Sequence, residues 1–310
     1  EFAGGLRPGT DAADVRHLRR AVAAADVMHV HRGKEHWLAV IAARLAGGRP
    51  IVRTRHIAQA VRPHAGNRWL YGRATQLVVA VTEAIRGQCL ASGLLPPQRI
   101  VTLPGGADAD AYRPLPVNPE IRRALGGEDG RPLVGMVSGL RVMKGHRLVI
   151  EAAVRLAQRG IRPRIVFVGR GAMEASVRQA IEQAGLGAQI TVAGFAPDLP
   201  AVMAALDVAL YVPLESDGMS RVVFEYLLAG RPLLASRVGV VPEVLVDGEH
   251  AALVPAGDAD ALAAALAALL EDPARCRRLG ESGRHLALER FSGARLAAAL
   301  DTHYARLTAA

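Results

Sequence analysis

Short, almost continuous apolar runs alternate along this chain with longer segments in which apolar residues recur every three or four positions. The runs of the first part, which have the length of strands, are Asp26–His31, Pro50–His56, Leu77–Val81 and Arg99–Leu103. The longer segments, which have the period of helices, are Asp11–Ala24, Glu35–Ala46, Asn67–Ala74 and Thr82–Ser92. Strands that are apolar on both faces and are joined by helices are typical of parallel sheets covered on both sides. The pattern therefore predicts an α/β protein.

The alternation breaks at the proline-rich stretch Arg113–Pro119, which disfavours both helix and sheet, and then starts again. The later strand-like runs are Leu133–Ser138, Arg164–Val168, Gln189–Ala193, Val208–Val212 and Pro232–Ser236. The later helical segments are Gly145–Arg159, Met173–Ala184, Leu199–Leu206, Met219–Ala229, Ala261–Leu270, Ala274–Leu288 and Ala294–Leu307. We predict two Rossmann-like domains, residues 1–115 and 116–290, whose parallel sheets face a cleft. A C-terminal helix, residues 291–310, is expected to cross back to the first domain.

Composition limits the kinds of partner. The 310 residues carry a net charge of +9, and residues 1–116 hold 16 Lys and Arg against 8 Asp and Glu. An arginine-biased composition and a surface facing an anionic acceptor or anionic lipid explain this excess equally well. Nucleic acid is disfavoured, because the arginines are scattered and lack interleaved aromatic residues.

Cysteine spacing and the apolar runs indicate a location. Cys89 and Cys276 match no metal or redox spacing, so we expect reduced thiols and a cytoplasmic protein. The longest apolar run, Ala261–Leu270, is too short to span a bilayer. Peripheral contact with the inner face of the membrane through the basic first domain stays open.

Residues 216–232 carry the most informative chemistry. They follow an apolar strand, turn at Asp217-Gly218 and continue into a helix with one acid, Glu225, in its second turn. Free N–H groups and the helix dipole make the start of such a helix an anion site, and Glu225 can reach hydroxyl groups beside the anion. The segment therefore predicts a phosphorylated, hydroxyl-bearing ligand such as a nucleotide sugar.

A second candidate for anion binding lies in the loop after the strand that begins at Leu133. Arg141 and Lys144 precede a helix there, and two cations in such a loop can neutralise a diphosphate leaving group. Either residue alone would be better explained as solvated surface charge. The pair, beside a second anion-binding element, favours a binding role.

Several segments together resemble the GT-B glycosyltransferases of family 4. They are Leu103–Asp108, Ser138–His146, Val168–Gly171, Val192–Phe195, Asp217–Glu225 and Gly239–Glu243 with Gly248. The resemblance covers nearly the whole chain, from about Asp26 to Phe291. It implies a retaining, metal-independent enzyme without a cofactor that uses a nucleotide-diphosphate sugar, with a UDP-sugar favoured. It also implies an acceptor in lipopolysaccharide, capsule or another surface glycan or glycolipid.

The resemblance also implies roles for individual positions. The residues implied to contact the donor diphosphate are Gly139, Arg141 and Lys144. Those whose backbone is implied to face the diphosphate and sugar are Gly218, Met219 and Ser220, and those implied to lie against the base are Gly194 and Phe195. Glu225 is implied to bind the ribose hydroxyls, and His56 to face the donor sugar.

Two departures from the family pattern bear on activity. Asp217 stands where the family has the first glutamate of its motif, so it is either a site residue, which we favour, or a turn and N-cap residue. No strand precedes Gly4-Gly5, where the family has a strand and a glycine-rich loop, so we expect an incomplete record of the natural protein or a reduced acceptor domain. Two alternatives stay open: a nucleotide-sugar-binding protein without catalysis and a GT-B sugar epimerase.

Two other interpretations are disfavoured. A NAD-dependent dehydrogenase would need a third glycine after Gly169-Arg170-Gly171, and none stands at the required position. The histidines of the first domain suggest a metal site, but no acidic or cysteine residue has matching spacing. These histidines are His29, His31, His36 and His56, of which we expect His29 to be an ordinary strand residue.

Overall fold

The computed structural model describes residues 8–216 and 220–309, and these form two compact units. The first unit comprises residues 8–105 and 296–309, and the second comprises residues 106–216 and 220–295. Each unit has a parallel sheet with helices along the chain between its strands, which confirms the predicted α/β class with two Rossmann-like domains. Within the described part of the chain, no helix combines the length and the apolar composition that crossing a membrane would require.

The first unit is built on a four-stranded parallel sheet whose strands lie in chain order. Its strands are β1 (Met28–Val30), β2 (Ile51–Arg55), β3 (Leu77–Ala80) and β4 (Ile100–Thr102). Its helices are α1 (Pro8–Ala23), α2 (Gly33–Leu45), α3 (Ala65–Trp69) and α4 (Glu83–Ala91), with a π-helical turn, Leu70–Ala74, after α3. These elements occur where the sequence predicts them, with small shifts at their ends, where helices and strands fray.

Alternation along β2 sends its side chains to opposite faces of the first sheet. Val52 packs on one face with residues of the C-terminal helix, including Leu300. Ile51 joins the core on the other face, which α2 covers. Arg53 and Arg55 follow Ile51 at a spacing of two, so the two guanidinium groups lie on the α2 face of the sheet.

The second unit is built on a six-stranded parallel sheet of order β10-β9-β8-β5-β6-β7. Its strands are β5 (Leu133–Val137), β6 (Arg164–Val168), β7 (Ile190–Gly194), β8 (Val208–Tyr211), β9 (Leu233–Ser236) and β10 (Ala252–Val254). Its helices are α5 (Pro119–Ala124), α6 (His146–Gln158), α7 (Glu174–Gln183), α8 (Leu199–Ala204), α9 (Arg221–Leu228), α10 (Val241–Val244), α11 (Ala259–Glu271) and α12 (Pro273–Arg290). Because β5 lies between β6 and β8, the strand order reverses at β5. Sheets of this kind bind ligands outside the carboxyl ends of the strands at such a point.

Helix α6 shows how the sequence pattern produces this packing. Its buried residues Leu148, Ala152 and Leu156 recur at a spacing of four, so they form one stripe along the helix. The stripe packs in the core with Val134 of β5 and Phe167 of β6. The helix that follows the Arg141–Lys144 loop is therefore held firmly against the sheet.

The prediction and the structure differ at the shortest elements. The prediction omits α5, α10 and β10, which have 6, 4 and 3 residues, too few for a period to show. The units divide between Gly105 and Gly106, ahead of the predicted boundary at residue 115. Ala107 explains why, because it forms a bridge with Ser292 of the second unit. The last helix, α13 (Gly293–Thr308), begins in the second unit, and its residues from Leu296 onward belong to the first.

Candidate functional site

Five of the predicted donor-binding residues lie at the carboxyl ends of β5 and β7, two strands of the second sheet that have β6 between them. Gly139, Arg141 and Lys144 belong to the loop after β5, and Gly194 and Phe195 lie at the end of β7. The Lys144 side chain is only 5% exposed, whereas Arg141 is exposed. All five therefore lie along the carboxyl edge of the second sheet, and those after β5 lie where the strand order reverses.

The loop after β5 is held by direct contact between backbones. Gly145 has a φ of +82°, and a Cβ atom there would overlap the carbonyl oxygen of Val212, just past the end of β8. The Leu214 amide donates a hydrogen bond of 2.8 Å to the carbonyl oxygen of Met143. The loop that carries Lys144 is thus tied to the segment that leads towards α9.

The loop after β6 packs against the start of the loop after β5, at residues 138–140. A Cβ atom at Gly169 would overlap the carbonyl oxygen of Ser138, and one at Gly171 would overlap that of Leu140. The Leu140 amide also donates to the carbonyl oxygen of Arg170 at 3.1 Å. Gly169 and Gly171 are therefore needed for close packing of the two loops. This requirement explains both glycines without a dinucleotide-binding motif.

His146, at the start of α6, is a buried member of this loop cluster that the sequence did not single out. Its Nε2 atom lies 3.2 Å from Ser138 Oγ, and its ring packs edge-on against Phe167. Burial, with a smaller contribution from the Lys144 cation, lowers the pKa of His146 to about 4. The neutral imidazole of His146 therefore adds no positive charge beside Lys144.

The end of β7 presents an aromatic surface. The Gly169 amide donates to the carbonyl oxygen of Gly194 at 2.7 Å, which ties the ends of β6 and β7 together. The Phe195 side chain is 66% exposed, and the Arg170 guanidinium lies 5.8 Å from its ring centroid. An exposed ring with a cation over it is a surface on which a planar group can stack.

Helix α9 supplies the acid of the second candidate element. Glu225 is buried and pairs with Arg221 at 3.6 Å. It also accepts a hydrogen bond from Tyr112, which the sequence did not single out. Burial raises the pKa of Glu225, and the Arg221 cation and the Tyr112 hydroxyl oppose that rise. The carboxylate lines a cavity of about 600 Å³ together with residues such as Asp108 and Ser292.

The start of α9 is only partly described. Ser220 is the N-cap residue, and its side chain makes no capping hydrogen bond. The predicted site residues Asp217, Gly218 and Met219 lie outside the described residues. The anion site expected at this helix start therefore stays a prediction.

His56 lies in the first unit, directly after β2, in a row of three histidines. Its Nε2 atom is 3.0 Å from Nδ1 of His31, whose ring stacks on that of His29 at a centroid distance of 4.6 Å. His29 lies between Tyr304 and Thr54, at 2.5 and 2.6 Å from their hydroxyl oxygens. His29 is a residue of β1, as expected, and it also anchors the row through its contact with Tyr304 of α13.

The row of histidines is neutral at ordinary pH. Burial lowers the pKa of all three imidazoles, that of His29 to about 4, and the Arg53 cation adds to the effect. His36 belongs to a different environment, since it is buried and lies 2.8 Å from Thr75 Oγ1. Among the residues that the structure describes, no group of three or more His, Cys, Asp or Glu is arranged to hold a metal ion.

Two family models match the chain. Residues 117–286 match the model described as glycosyl transferases group 1, and residues 2–111 match the one described as glycosyltransferase family 4. The chain is 30% identical over 302 residues to the GDP-mannose-dependent alpha-(1-6)-phosphatidylinositol monomannoside mannosyltransferase of Mycolicibacterium smegmatis. That alignment covers 92% of this chain and 79% of the relative. The 2-deoxystreptamine glucosyltransferase of Streptomyces kanamyceticus is 28% identical over 91% of this chain and 78% of its own length.

Solved structures of the same fold include a glycosyltransferase from Rickettsia africae, with a TM-score of 0.86 and 17% identity. It matches 99% of this chain and 84% of its own. The Anabaena protein HepE, solved in complex with UDP, has a TM-score of 0.80 and 22% identity over 94% of this chain and 82% of its own. At these identities the likeness concerns the fold, and it confirms the expected GT-B class.

Proposed function

This chain belongs to the glycosyl transferases group 1 family and is a glycosyltransferase, and on that premise we propose its donor, acceptor and mechanism. The donor is a nucleotide-diphosphate sugar, and the acceptor is a hydroxyl group of a surface glycan or glycolipid. The sugar is transferred with retention of its anomeric configuration. We further propose that the basic first unit, with 16 Lys and Arg against 8 Asp and Glu in residues 1–116, makes peripheral contact with the inner face of the membrane.

The loop after β5 is the observation that carries this proposal. Lys144 is a buried cation on a loop that close backbone contacts hold at the β5–β8 switch point. Transfer breaks the bond between the anomeric carbon and the diphosphate oxygen, so negative charge grows on the diphosphate. A cation fixed beforehand in a site shielded from water stabilises that charge without rearranging during the reaction. Arg141, more exposed, is proposed to contact the same diphosphate from the rim of the loop.

The remaining groups are proposed to orient the reactants. The acceptor oxygen forms the new bond on the face that the diphosphate leaves, and a departing phosphate oxygen accepts the acceptor proton. Glu225 binds the ribose hydroxyls, while Gly194 and Phe195 lie against the base. His56 faces the donor sugar, and its hydrogen bond with His31 limits the rotation of its ring. The start of α9, with Asp217 to Ser220, faces the diphosphate and the sugar.

We propose uracil as the base of the donor, with guanine as the second choice. The solved complexes of HepE contain UDP, or UDP-glucose, whereas the Mycolicibacterium relative is GDP-mannose-dependent. Both are compatible with a base that is held by backbone groups and by the exposed ring of Phe195. That same relative acts on a phosphatidylinositol glycoside, which supports a glycolipid as acceptor here.

Calorimetry with UDP, GDP and ADP, followed by the matching sugar nucleotides, tests the donor directly. We expect one nucleoside diphosphate to bind, and we expect the Lys144→Ala variant to bind it more weakly than the Arg147→Ala variant. Arg147 is an exposed cation at the start of the same helix, α6, and so is a matched control. Binding of none of the three diphosphates would overturn the proposal.

A nucleotide-sugar-binding protein without transfer is the second candidate. Asp217, where the family motif has a glutamate, favours it, because the shorter side chain reaches less far towards the donor sugar. Incubation with a labelled sugar nucleotide distinguishes the candidates. Slow hydrolysis or transfer of the sugar supports the enzyme, and binding without turnover supports the second candidate. NMR of the recovered donor would reveal an epimerase by an inverted sugar carbon.

A further inference from the structure

The first unit contains a cavity to which the proposed function has so far assigned no ligand. Its volume is about 1180 Å³, and it lies between α1, α2 and the segment that follows β2. The apolar residues that line it are Val15, Trp37, Leu38, Ile41, Val61 and Leu70. A cavity of this size and lining can bury a hydrocarbon chain.

Cations outnumber acids around the same cavity. The charged residues that line it are Asp11, Arg16, Lys34, Arg55 and Arg62. Asp11 forms an ion pair with Lys34 at 2.7 Å, which leaves an excess of arginine charge. Arg16 and Arg62 are exposed to solvent. An apolar interior with a cationic rim is complementary to an anionic amphiphile.

The buried guanidinium of Arg53 lies beside the cavity but does not line it. Arg53 is 6% exposed, and within the described residues its Nε and Nη1 atoms have no hydrogen-bond partner. It lies two residues before Arg55 on the same face of β2. Tyr71, which lines the cavity, contacts both Arg53 and Arg55. Its hydroxyl accepts a hydrogen bond from Arg55 at 3.2 Å and also interacts with Arg53. Two neighbouring cations that are short of hydrogen-bond acceptors are a site for an anionic group.

We infer that this cavity binds the acceptor, and that the acceptor is a lipid-linked molecule with an anionic group. The hydrocarbon chain lies against Trp37, Ile41 and Leu70, and the anionic group lies at Arg55. The inference rests on the proposed transferase function, and it narrows the acceptor class from surface glycans in general to anionic amphiphiles. The exposed sugar hydroxyl of such a molecule is then free to take part in transfer.

The two tryptophans of the chain provide a direct probe of the cavity. Trp37 lines it, and Trp69 stacks on Trp37 with a centroid distance of 5.8 Å. A brominated acyl chain quenches tryptophan fluorescence on contact. We therefore compare brominated lysophosphatidylglycerol, which is anionic, with brominated lysophosphatidylcholine, both as monomers and added to the full chain without donor. We expect the anionic probe to quench at concentrations at least tenfold lower.

Two pairs of variants test the two halves of the cavity. Ile41→Glu puts a charge on the apolar wall and should weaken quenching at least tenfold. Leu45→Glu, one turn later on α2 and 55% exposed, should leave quenching unchanged, because Leu45 does not line the cavity. Arg62→Ala should weaken binding of the anionic probe several-fold, and Arg73→Ala, another exposed arginine outside the cavity, should not.

Failure of this inference is distinguishable from failure of the proposed function. Absent quenching, equal quenching by the two probes, or equal effects of Ile41→Glu and Leu45→Glu would each overturn the inference, while nucleotide binding in calorimetry would be unaffected. Probe binding by a chain that binds no nucleoside diphosphate would instead overturn the proposed function. Unchanged thermal unfolding of Ile41→Glu ensures that lost quenching reflects the cavity rather than the fold.

Discussion

The candidate site of the second unit is built from backbone, whereas that of the first unit is built from side chains. Around Lys144, three glycines leave room for a neighbouring carbonyl group, so the loops after β5, β6 and β8 touch main chain to main chain. Around His56, the contacts run from imidazole to imidazole and on to hydroxyl groups of Thr54 and Tyr304. A backbone site tolerates few substitutions at its glycines. A side-chain site depends instead on protonation and on rotamers.

This difference explains why one site was easier to predict than the other. A loop that needs glycine at fixed positions carries those positions in its sequence, as Gly145 and Gly169 do. A histidine at the end of a strand has many possible roles, and its partner, here Tyr304 for His29, is far away in the chain. The contrast predicts that the second unit fails when its backbone is perturbed, and that the first fails when its histidines are charged.

The largest effect is expected from Gly145→Ala. The new Cβ would overlap the Val212 carbonyl in addition to requiring a positive φ, so the free energy of unfolding should fall by about 3 kcal/mol or more. Gly160→Ala is the matched control, because Gly160 has nearly the same φ, +79° against +82°, but open space around it. It should cost about 1 kcal/mol. Urea unfolding followed by circular dichroism measures both, and equal losses would refute the close-packing argument.

Acid is expected to weaken the first unit through its buried histidines. Burial lowers the pKa of His36 from 6.5 to about 3, so the unfolded chain takes up the proton first as the pH falls. Stability is therefore fully present above about pH 6.5 and is lost below it. His36 alone should remove about 2 kcal/mol between pH 7 and pH 5. Because Trp37 and Trp69 both lie in the first unit, tryptophan fluorescence in urea reports this loss.

The control for the acid effect is His36→Gln. Thr75 donates its hydroxyl proton to the Leu70 carbonyl, so the hydroxyl oxygen accepts from Nε2–H of a neutral His36. A glutamine amide can donate in the same way but does not titrate. The variant should therefore show a shallower decline of stability with falling pH. An unchanged slope would assign the acid sensitivity to other groups.

Lys144→Ala tests the proposed electrostatic role in the second unit. Turnover should fall roughly tenfold or more, the scale for removing one stabiliser of developing charge. Arg147→Ala, an exposed cation on α6, should leave turnover near normal. Thermal unfolding of both variants separates lost catalysis from lost structure. A near-normal rate for Lys144→Ala would remove this residue from the mechanism.

The smallest effect is expected from Tyr112→Phe. The Tyr112 hydroxyl donates to Glu225, and its loss should weaken donor binding by about 1 kcal/mol, or roughly fivefold. Because that hydrogen bond lowers the pKa of Glu225, its removal should also make donor binding decline at a higher pH as the solution is acidified. Tyr304→Phe, in the first unit, should leave unchanged the affinity for the nucleoside diphosphate, which lacks the sugar that His56 is proposed to face, and the pH dependence of that affinity. Calorimetry over a pH series would show whether Tyr112 matters only for packing.

Much of the fold followed from local patterns, and the misses have physical causes. The apolar runs that became β2, β3, β5 and β8 are bounded by helical segments with a clear period, so both their type and their order were predictable. The strand β10 has 3 residues and pairs only with β9 at the edge of the sheet, so no pattern of its own marks it. The family resemblance, carried by ordered segments along the chain, was confirmed by the family models.

The candidate site residues also divide into those whose place the local sequence indicates and those that only folding brings together. The place of Lys144 and Arg141 in the loop after β5 was predictable because the strand, the loop and the helix around them are consecutive in the chain. Tyr112 and Arg53 were not, since neither lies in a motif. Tyr112 matters only because folding brings it to Glu225, which is 113 positions later in the numbering of the chain. Arg53 looks like an ordinary strand residue until its burial without hydrogen-bond partners is known.

The sequence by itself determined the α/β class, the order of most elements, the family, and the glycine and lysine positions of the loop after β5. These properties depend on short-range periodicity and on backbone requirements that neighbouring residues reveal. Only the tertiary structure decided that His29 anchors His31 and His56 through Tyr304, that Tyr112 holds Glu225, and that an apolar cavity with a cationic rim lies beside α2. Those features join residues from distant parts of the chain, and burial sets their charge states, which no local pattern records.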